Sequence, residues 1–146
     1  MAVASTTASS ATATPRAIHA GLNVATATYT LNAAASTTLS DVLLMVKIPD
    51  QATIVDGYVV GTNGSAGTTF KIGTSADDDA LHVAASFSAT SQLTRFSAAT
   101  LPFKVSISDD AEPKWTYVKM ERTANASGTL TESIRLVVKY VMPGNI

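Results

Sequence analysis

Three adjacent carboxylates, Asp77-Asp78-Asp79, are the densest chemistry-bearing group in this chain. Hard oxygen ligands of this kind hold calcium, but consecutive side chains diverge, and the glycine and distal glutamate of a calcium loop are missing. The run reads as a solvated loop with an Asp capping one short helix through Ala80 to Ala85. His19 and His82 are the only histidines, and neither stands at metal-ligand spacing from another candidate. The members of a Ser-His-Asp triad meet only in space, yet no Gly-x-Ser-x-Gly elbow frames any serine. Both histidines read as structural. The glycines from Gly61 to Gly67 lack the Lys-Ser/Thr ending and following helix of a phosphate cradle, so they read as a turn between strands. No catalytic, metal or cofactor site is expected, and the chain is not read as an enzyme.

Trp115 and Tyr117, two apart, would share one face of a strand. Such a pair can stack on a sugar or a base, with Glu121 as a nearby carboxylate, but its more ordinary use is in a core or a subunit interface. Pro15-Arg16 closes an N-terminal stretch made almost wholly of Ala, Ser, Thr and Val. Trp115, Tyr117, Pro15 and Arg16 are the candidate interface residues.

The chain around these groups has 146 residues, enough for one domain with a real core. Its net charge of -1 and singly scattered cations offer no field for a phosphate backbone, so no nucleic acid is expected. With no cysteine, disulfides, thiolate metal sites and a Cys nucleophile are excluded. Met1 to Thr14 has neither the basic region nor the apolar run of a secretory signal, and no stretch approaches the ~20 apolar residues of a membrane helix. Residues 1–16 are expected to form an extended or disordered arm, and residues 17–146 the folded domain.

The elements that must position these groups are strands. The organising stretch runs from Asp41 to Val60, two β-branched runs broken at Pro49-Asp50-Gln51-Ala52 as a hairpin or a tight corner. Alternation puts Val42, Leu44, Val46 and Ile48 on one face, with Leu43, Met45 and Lys47 on the other. A Thr-rich segment before Leu31 fits a half-exposed or edge strand, with Ala25, Ala27 and Tyr29 to one side. Phe70 and Ile72 point inward, Phe103, Val105 and Ile107 share a face, and a strand is expected near Gln92 to Phe96. Trp115 to Arg122 and the alternation of Ile134, Leu136, Val138 and Tyr140 complete the set. About eight short strands and at most one short helix define an all-β protein, a single β-sandwich for which jelly-roll topology is the leading candidate.

The span from about Ser40 to Tyr140 resembles small structural proteins encoded among the head genes of tailed bacteriophages. The residues that carry the resemblance are Asp41 to Pro49, then Ala52-Thr53-Ile54-Val55-Asp56-Gly57-Tyr58, then Gly67 to Ala80 with its Gly-Thr-Thr and Gly-Thr-Ser-x-Asp segments. The resemblance implies a capsid decoration, or cement, protein of the virion surface, made in the host cytoplasm. It further implies a homo-oligomer, preferentially a trimer, whose partner is the major capsid protein, with no catalytic residues, no cofactor and no membrane. The N-terminal arm departs from that pattern and is expected to reach a neighbouring subunit. The rival reading is a jelly-roll recognition module on a fibre or tail that binds a host glycan or receptor through Trp115, Tyr117 and Glu121.

Overall fold

The computed structural model describes residues 3–5, 22–30, 42–61, 68–87, 92–107, 113–124 and 133–143. Among the described residues ten strands follow in order: β1 (Val3–Ser5), β2 (Leu22–Thr30), β3 (Val42–Pro49), β4 (Thr53–Gly61), β5 (Thr68–Thr74), β6 (His82–Phe87), β7 (Gln92–Arg95), β8 (Phe103–Lys104), β9 (Trp115–Ala124) and β10 (Ser133–Val141). They build two sheets, β1-β3-β9-β5-β6 and β2-β10-β4-β7, with β8 also paired to β4.

Setting β1 and the two-residue β8 aside, eight strands remain, and their pairing is nested. The first pairs with the last (β2–β10), the second with the seventh (β3–β9), the third with the sixth (β4–β7), and the fourth with the fifth (β5–β6). This is one long antiparallel ribbon, tipped at β5–β6 and rolled so that successive rungs fall in alternate sheets. That arrangement is the jelly roll. The core lies between the sheets, where Phe70, Ile72, Ile54, Leu81, Met120, Ile134, Leu136 and Tyr140 are fully or almost fully buried. Removing each such large apolar side chain from water contributes about 1.5–3 kcal/mol before entropy is charged against it.

β10 obeys strict alternation on its inner face, with Ile134, Leu136, Val138 and Tyr140 all buried. β2 is an edge strand with Ala27 buried and its threonines exposed, as its composition leads one to expect. The expected break at Pro49 is a corner: β3 ends there in one sheet and β4 begins at Thr53 in the other. A hydrogen bond from Ala52 N to Pro49 O closes the turn, and Gln51 takes a positive φ of 69°.

Two sequence-based assignments are corrected. In β3 the residue facing β9 shifts between Leu44 and Val46, so Met45 is looped into a β-bulge. The bulge reverses the parity of the strand, and Leu43, Met45, Val46 and Ile48 face the core in place of the single set Val42, Leu44, Val46 and Ile48. The short helix after Asp77 is absent; Asp77–Leu81 forms turns and bends, and His82 opens β6. Ile72 pairs with His82 and Phe70 with Ala85, so the extra residue on β6 again marks a bulge. Leu81 N also donates to Ile72 O (2.9 Å), committing this backbone to the sheet.

The N-terminal strand β1 lies parallel to β3, with Val3 to Ser5 opposite Val42 to Leu44. The remainder of the arm, including Pro15 and Arg16, lies outside the described residues, as do His19, most of the turn around Gly64 and Gly67 and the turns at Asp109 to Glu112 and Asn125 to Gly128.

Candidate functional site

Trp115 opens β9 opposite Pro49, and Tyr117 lies opposite Lys47. Strand periodicity puts both aromatics on the outer face of the sheet, because Val118 and Met120 take the inner one. Their rings meet edge to face, with centroids 4.8 Å apart at an interplanar angle of 78°. The Lys47 ammonium sits 4.3 Å from the centre of the Trp115 ring, a cation–π contact. Lys47 itself is only 5% exposed. One side of the aromatic platform is thus engaged inside the protein.

Beside this pair opens a cleft of about 550 Å³, with Phe103, Ile107, Pro113 and Trp115 as its apolar lining and Lys104 as its one charge among the described residues. Four hydrogen bonds at the β3–β4 corner hold its far wall. Gln51 N donates to Val105 O (3.0 Å), Val105 N to Ala52 O (2.8 Å), Asp50 N to Lys114 O (3.0 Å), and Ile107 N to Asp50 Oδ1 (2.8 Å). The bond from Ile107 N holds the Asp50 carboxyl below its ordinary value of 3.8. Chemically the cleft can seat an apolar or aromatic group; among the described residues that line it none is a carboxylate, and none forms a nucleophile–base pair.

Glu121, grouped with these aromatics from the sequence, is elsewhere. It lies six residues from Trp115 along β9, about 20 Å at strand rise, and pairs with Lys71 at 3.6 Å. Phe103, Ile107 and Pro113 were not legible as partners of Trp115, since they come from separate chain segments. Lys47 in an otherwise apolar strand was the one local hint.

The acid run folds back beneath β5. Asp77 exchanges bonds with Thr74: Thr74 N donates to Asp77 O (2.7 Å), and Asp77 N donates to Thr74 Oγ1 (3.3 Å). The loop passes so close to Gly73 that a Cβ there would overlap the Asp77 and Asp78 backbone, which is why this position needs glycine. Asp78 accepts from Lys71 Nζ at 2.7 Å, and this bond lowers its pKa. A side-chain hydrogen bond with Asp77 raises that of Asp79, with burial adding to it. The three carboxylates do converge, with oxygens within 4.8 Å of one another. Their bonds serve loop geometry and an ion pair. His82 Nε2 donates to Ala84 O (3.1 Å), leaving Nδ1 as a buried nitrogen with no hydrogen bond among the described residues.

No family model matches the chain, and no curated protein matches it in sequence. Solved structures do resemble it. A chain in the capsid of Ralstonia phage GP4 superposes with a TM-score of 0.78 at 17% identity, covering 99% of this chain and 100% of that one. A chain of the cyanophage Pam1 capsid asymmetric unit gives 0.67 at 18% identity, covering 92% and 96%. One from the acidic stable capsid of Helicobacter pylori bacteriophage KHP30 gives 0.54 at 14% identity, covering 88% and 94%. At these identities the likeness is one of fold, and it extends over nearly the whole of each chain.

Proposed function

We propose that this protein is a non-enzymatic structural component of a phage virion, a decoration or cement protein that binds the outer surface of the head shell. The observation that carries the reading is the end-to-end fold likeness to chains from three phage capsid structures. Composition supports it. A chain of net charge -1 with broad Thr-rich and Ala-rich β surfaces adds binding energy through buried area rather than through a strong field.

Binding to the assembled shell and not to its dissociated subunits stabilises the shell by mass action. At a free concentration one hundred times the dissociation constant, the gain is about 2.7 kcal/mol per site. The partner is the major capsid protein, and the working oligomer is a trimer. The N-terminal arm contributes by reaching an adjacent subunit.

Purified protein mixed with undecorated, expanded capsids and pelleted tests this directly. The expected result is saturable co-sedimentation and a higher capsid disruption temperature. Absence of binding overturns the reading. The apolar cleft at Trp115 favours a second one, a recognition module for a host glycan or receptor, and a glycan array then becomes the deciding measurement.

A further inference from the structure

Among the described residues, exposed apolar side chains are not spread evenly between the two sheets. Among the described residues five large ones stand exposed, and four of them belong to the β2-β10-β4-β7 sheet: Leu22 (60%), Val24 (48%), Val55 (38%) and Leu93 (53%). The fifth, Val83 (65%), is on β6 of the other sheet. Ile134, Leu136, Val138 and Tyr140 fill the inner side of this sheet, so the alternate residues of each strand make up its outer face.

The strand register orders that face into rows. One runs Thr28–Arg135–Val60–Leu93, the next Thr26–Val137–Tyr58–Arg95, the third Val24–Lys139–Asp56. The register slips between Lys139 and Tyr140, looping Val55 out of β4 and pushing it to the surface beside Asp56. A hollow of about 430 Å³ lies between Tyr58, Val60, Leu93 and Arg135. Apolar side chains ringed by arginine and lysine, with a tyrosine at the centre, match the composition of docking patches rather than of solvated sheet faces.

Charge pairing differs between the two sheets. On the β1-β3-β9-β5-β6 sheet, which also carries Lys47, Lys119 and Arg122, Lys71 is answered by both Asp78 and Glu121. On the β2-β10-β4-β7 sheet, Arg95, Arg135 and Lys139 face a single carboxylate among the described residues, Asp56, which Arg95 engages at 3.4 Å. Arg135 and Lys139 have no ion pair among the described residues. The face is a local cationic surface on a chain whose net charge is -1. Two copies docked through it about a two-fold axis would oppose like charges.

We infer that the outer face of the β2-β10-β4-β7 sheet is the surface that docks to the capsid shell, and that the shell surface it meets carries carboxylates among apolar side chains. The inference rests on the proposed virion role and adds to it the face, the contact residues and the charge of the partner. Leu93 enters an apolar depression, while Arg135 and Lys139 take up carboxylates at the rim. The rim charges set the association rate and its salt dependence, and the apolar rows set the lifetime of the complex.

The experiment titrates wild type, Leu93→Asp, Arg135→Glu and Val83→Asp against expanded capsids, by co-sedimentation at two salt concentrations. Thermal melting verifies that each variant is folded, which their exposure leads one to expect. Val83→Asp is the control, a still more exposed apolar residue on the other sheet. Leu93→Asp and Arg135→Glu are expected to weaken binding about tenfold or more, with Val83→Asp within about twofold of wild type, and wild-type affinity is expected to fall with salt. Wild-type affinity in both face variants overturns the assignment while leaving the virion role intact. Loss of self-association in the face variants, with shell binding unchanged, makes the face a contact between copies and also overturns it. A wild-type chain that does not sediment with capsids overturns both readings.

Discussion

Gln51 occupies a position that its side chain does not suit. It is the third residue of the corner closed by the Ala52 N to Pro49 O bond, and its φ of 69° lies in the left-handed region where a type II turn prefers Gly or Asn. A β-branched residue there clashes with its own backbone. Gln51→Val is expected to destabilise the fold by about 1–2 kcal/mol in chemical denaturation, whereas Gln51→Gly equals or exceeds wild type. Equal loss in both variants would show that side-chain contacts, not backbone strain, govern the site. In the acid run, Asp79 has its pKa raised, first by the hydrogen bond with Asp77 and then by burial. A raised folded-state pKa means that its favourable contribution is present below the unfolded value and lost as pH rises through the folded one. At neutral pH the ionised Asp79 therefore opposes folding. Asp79→Asn is expected to raise the thermal midpoint at pH 7, with the difference closing near about pH 3, where the wild-type carboxyl is protonated as well. Asp50 and Asp78 have lowered values and act in the opposite sense, stabilising above about pH 4 and losing that contribution in acid. At this scale the sequence shows that a turn falls at Pro49 to Ala52. The backbone sign at Gln51 was not legible, because glutamine carries no left-handed signature.

Elements in this protein are set by alternation and then redirected by bulges. The alternating segments at Phe70 and Ile72, at Phe103 to Ile107, along β9 and along β10 all face as their spacing predicts. β3, β4 and β6 do not run in simple alternation, because the extra residues at Met45, at Val55 and in the stretch opposite Lys71 change the parity. In β6 the bulge buries Leu81 and Ala85 four residues apart, a spacing that also suits a helix face, and so the acid-capped segment resembled one. A bulge is chosen by the partner strand, and no residue within the segment announces it. Gly57 illustrates the dependence. It lies in mid-strand, where glycine weakens local preference, yet a Cβ there would overlap the Phe96 ring, whose backbone N donates to Gly57 O (2.9 Å). Gly57→Ala is expected to cost about 1–3 kcal/mol by overpacking. The cost should shrink in a Phe96→Leu background, measured as a double-mutant cycle; independence of the two changes would mean that the close approach is not the reason for the glycine.

For the whole molecule, composition and periodicity were enough to identify an all-β chain with one core, to exclude thiolate chemistry, and to set the expectation that no nucleic acid is bound. These conclusions need only local information: the period of two, the turn residues, the count of charges and the absence of cysteine. The nested pairing of β2 with β10 through to β5 with β6 is different, since it joins strands separated by most of the chain, and any of several sandwich topologies is compatible with the same alternation. Only the tertiary structure decided it. It also decided which surfaces are available to a partner. Trp115 and Tyr117 are legible as a pair, but the cleft beside them is assembled from Phe103, Ile107 and Pro113, and the distance to Glu121 follows from their shared strand. The cationic apolar face brings together residues from four strands that no linear pattern connects. The physical reason is the range of the forces involved. Alternation and turn preference act between neighbours in the chain, so the sequence by itself determined strands and core. Register, bulges and surface patches arise from packing between distant segments, and the fold alone decided them.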